Sequence, residues 1–134
     1  EGVEPGLYHL DVKNWTLEGL KLKEVGDFAY EVSMRQELTR KSAVNFVWTA
    51  VLPRCRGKYY ERAYRYIFWD VGHMAQNLHV AGNAQGLGVC SIGAWADGLM
   101  NDFIGIDGKE HFSILMASVG KVKGLDWRED RRWS

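Results

Sequence analysis

The sequence lacks several features that would assign it quickly to a class of protein. Its 134 residues contain two cysteines, Cys55 and Cys90, too few for a disulfide framework or a four-cysteine zinc site. No apolar run approaches the roughly 20 residues of a membrane-spanning helix, and the first residues do not form a signal peptide. The 17 basic and 17 acidic residues cancel, so no long-range field attracts nucleic acid or an anionic membrane. We therefore expect a cytoplasmic protein with reduced thiols and neither of those partners.

Two common ligand-binding patterns are also missing. The glycine-rich run 82–88 lacks the spacing of a phosphate or dinucleotide loop, and it follows a predicted helix instead of joining a strand to a helix. His73 and His79 are six residues apart, so their rings do not share one helix face. We therefore expect the glycines to end a helix, and we expect no metal site.

Hydrophobic patterning predicts a chain of alternating strands and helices. The 46% hydrophobic and 25% charged residues are typical of one globular domain, and the 13% aromatic content suits burial of a flat ring or a subunit interface. Strands are predicted at residues 6–11, 16–22, 42–52, 89–92 and 111–121, and helices at residues 28–38, 63–85 and 98–103. Asp27 and Asp97 are predicted N-caps, and the apolar strand 42–52 is predicted to be central.

The helix predicted at residues 63–85 carries both an apolar and a polar stripe. Its apolar residues recur at the 3, 4 spacing of a helix with one buried face: Tyr64, Ile67, Phe68, Val71, Met74, Ala75, Leu78 and Ala81. Its polar set is Asp70, His73, Gln76 and Asn77. Buried polar groups need hydrogen bonds, so we expect this set to tie the helix to its neighbours and to a dimer interface.

A run of 40 residues carries a specific resemblance. Residues 58–97 read KYxxRxYRYxxxDxGHxxQNxxxAxxxxGLGxCxIGAWxD, and the matching pattern extends from the Gly6-Leu7-Tyr8-His9 segment to Val119-Gly120. This pattern resembles the flavin-dependent nitroreductase superfamily, in particular its SagB-type, azoline-dehydrogenase branch. The resemblance implies an α+β fold with a mostly antiparallel sheet packed with helices, in an intertwined dimer that holds FMN between its subunits.

The resemblance covers about the C-terminal two-thirds of the family domain. The family's N-terminal part, which helps to hold the FMN phosphate, has no counterpart in these residues. We therefore expect residues 1–134 to form a single domain that lacks this segment. The expected partner is a second copy of the chain or a complementary N-terminal chain.

Lys58 and Tyr59 are the candidate catalytic pair. A lysine can act as a base and a phenol can relay a proton, although Lys-Tyr dipeptides are common. The resemblance assigns this pair to proton removal while a hydride passes to the flavin.

The resemblance also implies a cofactor site. It places Ser91, Ile92, Gly93 and Ala94 at a turn whose backbone amides face the flavin ring, where the alternative is a simple tight turn. It also offers Arg131 or Arg132 as a ligand for the FMN phosphate.

The implied function is that of an FMN-dependent oxidoreductase that transfers a hydride through flavin N5. Its substrate would be an azoline or thiazoline in a peptide, or a small nitro or quinone compound reduced with NAD(P)H. The alternative is a non-catalytic flavin-fold subunit or fragment that serves as a structural or partner-binding module. The sequence does not choose among the substrates or fix the direction of the reaction.

Overall fold

Two short sheets and five helices make up the part of the chain that the structure, a computed structural model, describes, which is residues 2–122. The strands are β1 (Leu7–Asp11), β2 (Thr16–Lys21), β3 (Val44–Val51), β4 (Gly88–Ile92) and β5 (His111–Gly120). The helices are α1 (Gly26–Val32), α2 (Glu37–Lys41), α3 (Leu52–Tyr59), α4 (Ala63–Ala84) and α5 (Asp97–Ile104), with a 3₁₀ turn at Tyr60–Arg62.

All strand pairs in the described residues are antiparallel, as predicted. β1 and β2 form a hairpin, and the second sheet has the order β3-β5-β4. The prediction that residues 42–52 form a central strand was wrong, because β5 lies between β3 and β4. β3 has exposed side chains such as Val44, at 50%, whereas residues 116–119 of β5 are all buried. A continuous apolar run therefore did not distinguish the edge strand from the central one.

The three-stranded sheet is covered on both faces. On one face Met116 of β5 pairs with Val47 of β3 and Ile92 of β4, and these three side chains pack with α1 and α5. Neighbouring strand residues point to opposite faces, so Ser91 lies on the other face, where it meets His79 of α4. The result is the predicted α+β architecture of antiparallel strands packed between helices.

Gly82 allows α4 to approach this sheet closely. A Cβ atom at this position would lie 2.4 Å from Cγ2 of Val89 on β4. The helix then ends near Gly86, which has a φ of +72° and takes the helix-terminating role predicted for it.

The predicted helix 28–38 is interrupted, which corrects the sequence prediction. Met34 and Arg35 have φ values of +56° and +62°, so the chain leaves α1 and begins α2 afresh at Glu37. The Ser33 hydroxyl bonds that of Thr39 across the break, at 2.9 Å. Two consecutive non-glycine residues in this region cost about 1–2 kcal/mol each, and the apolar periodicity contains no signal of it.

Both predicted aspartate caps were also wrong. α1 begins at Gly26 after Val25, and the Glu24 carboxylate accepts hydrogen bonds from these two backbone amides. Asp27 and Asp97 instead lie within the first turns of α1 and α5, where a negative charge interacts favourably with the helix dipole.

α4 buries only part of its predicted apolar face. Val71 and Ala75 are buried, whereas Phe68 and Met74 expose 54% and 51% of their surface. The polar set is exposed as well, so among residues 2–122 it does not tie α4 to a neighbouring element. Among the helices of residues 2–122, none is long and apolar enough to cross a membrane.

Candidate functional site

Lys58 and Tyr59 lie on the last turn of α3, beside the beginning of α4. The Lys58 ammonium lies 5.1 Å from the centre of the Tyr59 ring, and the Tyr59 and Tyr66 ring centres are 4.4 Å apart. With Tyr60, Glu61 and Arg62 these residues line a surface depression of about 400 Å³. Tyr59 is half-buried, and Lys58 is exposed within the described chain.

An unusual backbone turn at Tyr60 separates this pair from α4. Tyr60 has φ +51° and ψ −133°, a conformation that costs a non-glycine residue on the order of 1–3 kcal/mol. Its side chain remains 75% exposed, so packing of the ring does not account for the conformation. The turn reverses the chain and brings Tyr66 of α4 back against Tyr59.

Some of the charged side chains around the depression form an ion pair and others do not. Arg56 contacts the Glu61 carboxylate at 2.6 Å, and this hydrogen bond, with the attraction of the carboxylate, raises the pKa of Arg56 above its usual value. Glu61 is thus already engaged by a cation. The depression therefore presents Lys58 and Arg62 without a second carboxylate among its lining residues.

The second group of predicted residues lies where β4 ends. The Ser91 hydroxyl is 3.1 Å from Nε2 of His79, and Ile92 is only 1% exposed in the core. The Ile92 side chain is therefore directed into the protein, whereas Ser91 is exposed and its hydroxyl contacts α4. Gly93 and Ala94 are exposed, and within residues 2–122 neither backbone amide donates a hydrogen bond. A Cβ at Gly93 would meet no atom within 4 Å, so the backbone there is open to a ligand.

Three hydrogen bonds hold this turn against the α1–α2 region and β5. Nε2 of Gln36 donates to the Ala94 carbonyl at 3.2 Å, and the Ala96 amide donates to the Val32 carbonyl at 2.8 Å. The Trp95 indole donates to the Ser113 hydroxyl at 3.3 Å. Gln36 was not predicted to belong to the site, because its hydrogen bond to Ala94 depends on the break between α1 and α2.

The two predicted groups lie toward the same end of the sheet but on opposite faces. The ring centres of Phe112 on β5 and Tyr64 on α4 are 6.4 Å apart. Tyr64 lies at the start of α4, next to Lys58 and Tyr59, so this face of β5 is the one nearer to the pair. Ser113, the residue after Phe112, faces away from the pair and bonds Trp95 of the turn. The described residues therefore do not join the pair and the turn into one pocket.

Arg131 and Arg132 lie outside the described residues. In the part of the chain that the structure describes, no three His, Cys, Asp or Glu side chains are grouped to hold a metal ion.

The chain is similar to known proteins over most of its length. A protein of Methanocaldococcus jannaschii named as a nitroreductase is 27% identical over 120 residues, which are 90% of this chain and 59% of that protein. A solved structure from Anabaena variabilis, also named as a nitroreductase, matches with a TM-score of 0.83 at 30% identity and covers 90% of this chain and 25% of that one.

A third match concerns the fold alone because its identity is low. The Escherichia coli microcin synthetase McbBCD complex, solved with truncated pro-MccB17 bound, matches with a TM-score of 0.80 at 20% identity over 91% of this chain and 47% of that one. This chain therefore spans less than two-thirds of each of these relatives. Residues 9–121 match the model of the Nitroreductase family, and the chain belongs to that family.

Proposed function

We propose that the protein is an FMN-dependent oxidoreductase. The observation that carries the proposal is the turn at Gly93 and Ala94, which has two exposed amides with no acceptor among residues 2–122 and is clamped from behind by Gln36. Membership of the Nitroreductase family gives the turn its context. Fixed donors of this kind suit a flavin, because they stabilise charge that develops along the ring without adding a group that titrates.

Bound FMN would supply a site that accepts or donates a hydride. The amides of Gly93 and Ala94 would hold the nitrogen- and oxygen-bearing edge of its ring, and the open space at Gly93 lets the backbone come close. The neighbouring Ser91 and Ile92 would support this contact through the backbone, because the Ile92 side chain is buried in the core and the Ser91 hydroxyl contacts His79. Arg131 or Arg132 would bind the phosphate, since a guanidinium offers paired donors to phosphate oxygens.

Lys58 and Tyr59 would handle the proton that accompanies the hydride. An amine that has lost its proton can accept one from substrate carbon or nitrogen, and a phenol held against Tyr66 can relay a proton to a heteroatom. Lys58 is exposed in this chain, so the bound substrate or a second chain would provide the water-excluded surroundings.

The complete site would require a partner. A homodimer is favoured by the apolar side chains that α4 leaves exposed, because a second copy would bury them. A second subunit would also let the pair of one copy act beside the turn of the other. A complementary chain supplying the family's N-terminal part is the other form of this proposal.

The proposed substrate is either an azoline or thiazoline in a peptide, oxidised in the SagB-type manner, or a small nitro or quinone compound reduced with NAD(P)H. A second candidate function is that of a non-catalytic flavin-fold subunit that binds a partner. It is favoured by the separation of the Lys58-Tyr59 pair from the Gly93-Ala94 turn on opposite faces of β5.

Substitution of the pair separates these two functions. In protein loaded with FMN, Lys58→Ala and Tyr59→Phe should lower turnover about a hundredfold while flavin content and folding stay unchanged. The assays are NAD(P)H-driven reduction of a nitroaromatic and dye-coupled oxidation of a thiazoline peptide. Lys13→Ala, which removes an exposed cation in the turn between β1 and β2, and Tyr30→Phe are the matched controls. Equal turnover in all four variants would contradict the catalytic assignment, and no turnover in the unchanged protein would favour the non-catalytic one.

A further inference from the structure

Positive charge is concentrated between α3 and the start of α4, although the whole chain has a formal net charge of zero. Residues 54–69 contain one acidic residue, Glu61, and the next acidic residue along the chain is Asp70. The cations in this segment are all exposed: Arg54, Arg56, Lys58, Arg62 and Arg65. We call the exposed part of residues 54–69 the basic-aromatic surface.

The cations of this surface are only partly neutralised within the chain. Arg56 engages Glu61. Lys58 and Arg65 lie over aromatic rings instead, at 5.1 Å from the Tyr59 ring and 5.9 Å from the Trp69 ring. Within residues 2–122, neither these two cations nor Arg54 or Arg62 forms an ion pair. Four positive charges are thus available to a ligand.

Aromatic rings run alongside these charges. The centres of the Tyr59 and Tyr66 rings are 4.4 Å apart, and those of Tyr66 and Trp69 are 5.7 Å apart in an edge-to-face arrangement. Trp69 is 57% exposed, so a ring surface remains free for contact. The depression beside these rings, about 400 Å³, is large enough for one small molecule.

We propose that the basic-aromatic surface binds a small planar ring that carries a carboxylate. The ring would stack on Tyr59 and Tyr66, and the carboxylate would accept hydrogen bonds from Arg62, with Arg65 adding attraction. A neutral ring would use only the aromatic half of this surface, and an inorganic anion only the charged half. This inference rests on the proposed function, because it names the substrate class of the site at Lys58 and Tyr59.

Equilibrium binding of two matched probes tests the inference. The compounds 4-nitrobenzoate and 4-nitrobenzamide share ring and nitro group and differ in charge. Calorimetric titration at low ionic strength should give 4-nitrobenzoate about fivefold tighter binding, the magnitude of one exposed ion pair. High salt should remove most of this preference, because exposed charges are screened.

Variants separate the contribution of charge from that of the rings. Arg62→Gln combined with Arg65→Gln should remove the preference for 4-nitrobenzoate and leave the affinity for 4-nitrobenzamide unchanged. Tyr66→Leu, which removes one of the two stacking rings, should weaken both probes by a similar factor. Lys13→Gln, which removes an exposed lysine in the turn between β1 and β2, is the matched charge control and should change neither affinity.

The possible outcomes distinguish this inference from the proposed function. Equal affinity for the two probes, or a preference that persists in the double arginine variant, would overturn the inference even if the protein reduces nitro compounds. A charge preference that depends on the arginines in a protein with no flavin and no turnover would uphold it as a binding property and contradict the proposed function.

Discussion

Gln36 and Ala94, 58 residues apart in the chain, are joined by a hydrogen bond of 3.2 Å from the Gln36 side-chain amide to the Ala94 carbonyl. The same nitrogen donates to the Ser33 carbonyl at 2.8 Å. Gln36 reaches both carbonyls because the chain turns at Met34 and Arg35, which have positive φ values. The two strained residues therefore place the Gln36 side chain against the proposed flavin-facing turn. Strained residues of this kind are found most often at functional sites.

Removing this side chain should weaken cofactor binding. Gln36→Ala leaves the Ala94 carbonyl without this donor, so the turn gains freedom and its amides are less well placed. We expect the dissociation constant of FMN to rise about tenfold, because the loss of one hydrogen bond and of the orientation that it provides costs about that much in affinity. Fluorescence titration with FMN measures it.

Gln85→Ala is the matched control for Gln36→Ala. The Gln85 amide donates to the Ala81 carbonyl at the end of α4, away from the turn. It should leave flavin affinity unchanged. An equal loss of affinity in both variants would contradict the positioning role of Gln36.

The contact between α4 and β4 predicts opposite effects for two glycines in one helix. Gly82→Ala would bring a Cβ to 2.4 Å from the stiff Val89 side chain and should lower the free energy of unfolding by about 1–3 kcal/mol. Gly72→Ala meets no atom within 4 Å and should raise it by about 1 kcal/mol, the helix propensity difference. Urea unfolding followed by circular dichroism measures both. Two changes of the same sign would contradict the close approach at Gly82.

Exposed apolar side chains on α4 predict self-association. Phe68, Met74 and Val80 expose between 51% and 60% of their surface. If a second copy covers them, Phe68→Lys with Met74→Lys should convert dimers to folded monomers, because two charges would be buried without partners. Sedimentation velocity measures the state. Leu20→Lys, an equal change at an exposed hairpin residue, should leave the dimer intact. A double lysine variant that remains dimeric would place the interface elsewhere.

Asp107 should contribute stability that depends on pH. Its carboxylate accepts hydrogen bonds from the backbone amides of Lys109, Glu110 and His111, the last being the main reason that its pKa lies below its ordinary value of 3.8. A lowered folded-state pKa means that this contribution is fully present above pH 3.8 and is lost as the pH falls through the lowered value.

Asp107→Asn should reduce this acid sensitivity. We expect the free energy of unfolding of the variant to change less between neutral pH and the region below pH 3.8 than that of the unchanged protein. Denaturant titrations at a series of pH values measure this difference. Asp102→Asn, an exposed residue on α5, is the control. Identical pH profiles for both variants and the unchanged protein would show that the three amide contacts do not contribute to the pH dependence of the free energy of unfolding.

The sequence predicted elements with strong periodicity or clear terminators. The long helix, the hairpin and the strands near residues 44–51 and 111–120 were confirmed, because alternation, glycine and Pro53 mark them directly. The break between α1 and α2 was missed, because Met34 and Arg35 are ordinary helix formers and their positive φ values are imposed by tertiary contacts such as that of Ser33 with Thr39.

The candidate site was less accessible to prediction than the fold. The motif located Lys58, Tyr59 and the turn, but their arrangement on opposite faces of β5 depends on how β3, β4 and β5 pair, and these pairings join residues that are far apart in the sequence. Gln36 could not be found, because a single polar residue in a loop gives no sign of a partner 58 positions away. The roles assigned to Arg131 and Arg132 remain predictions.

The absorbance spectrum of the purified protein, recorded after incubation with FMN and removal of unbound flavin by gel filtration, tests the central claim most directly. We expect the near-ultraviolet and visible bands of an oxidised flavin to elute with the protein and to bleach on addition of dithionite or NAD(P)H. A folded protein that elutes without flavin absorbance at every FMN concentration tried would contradict FMN-dependent function and leave the partner-binding one.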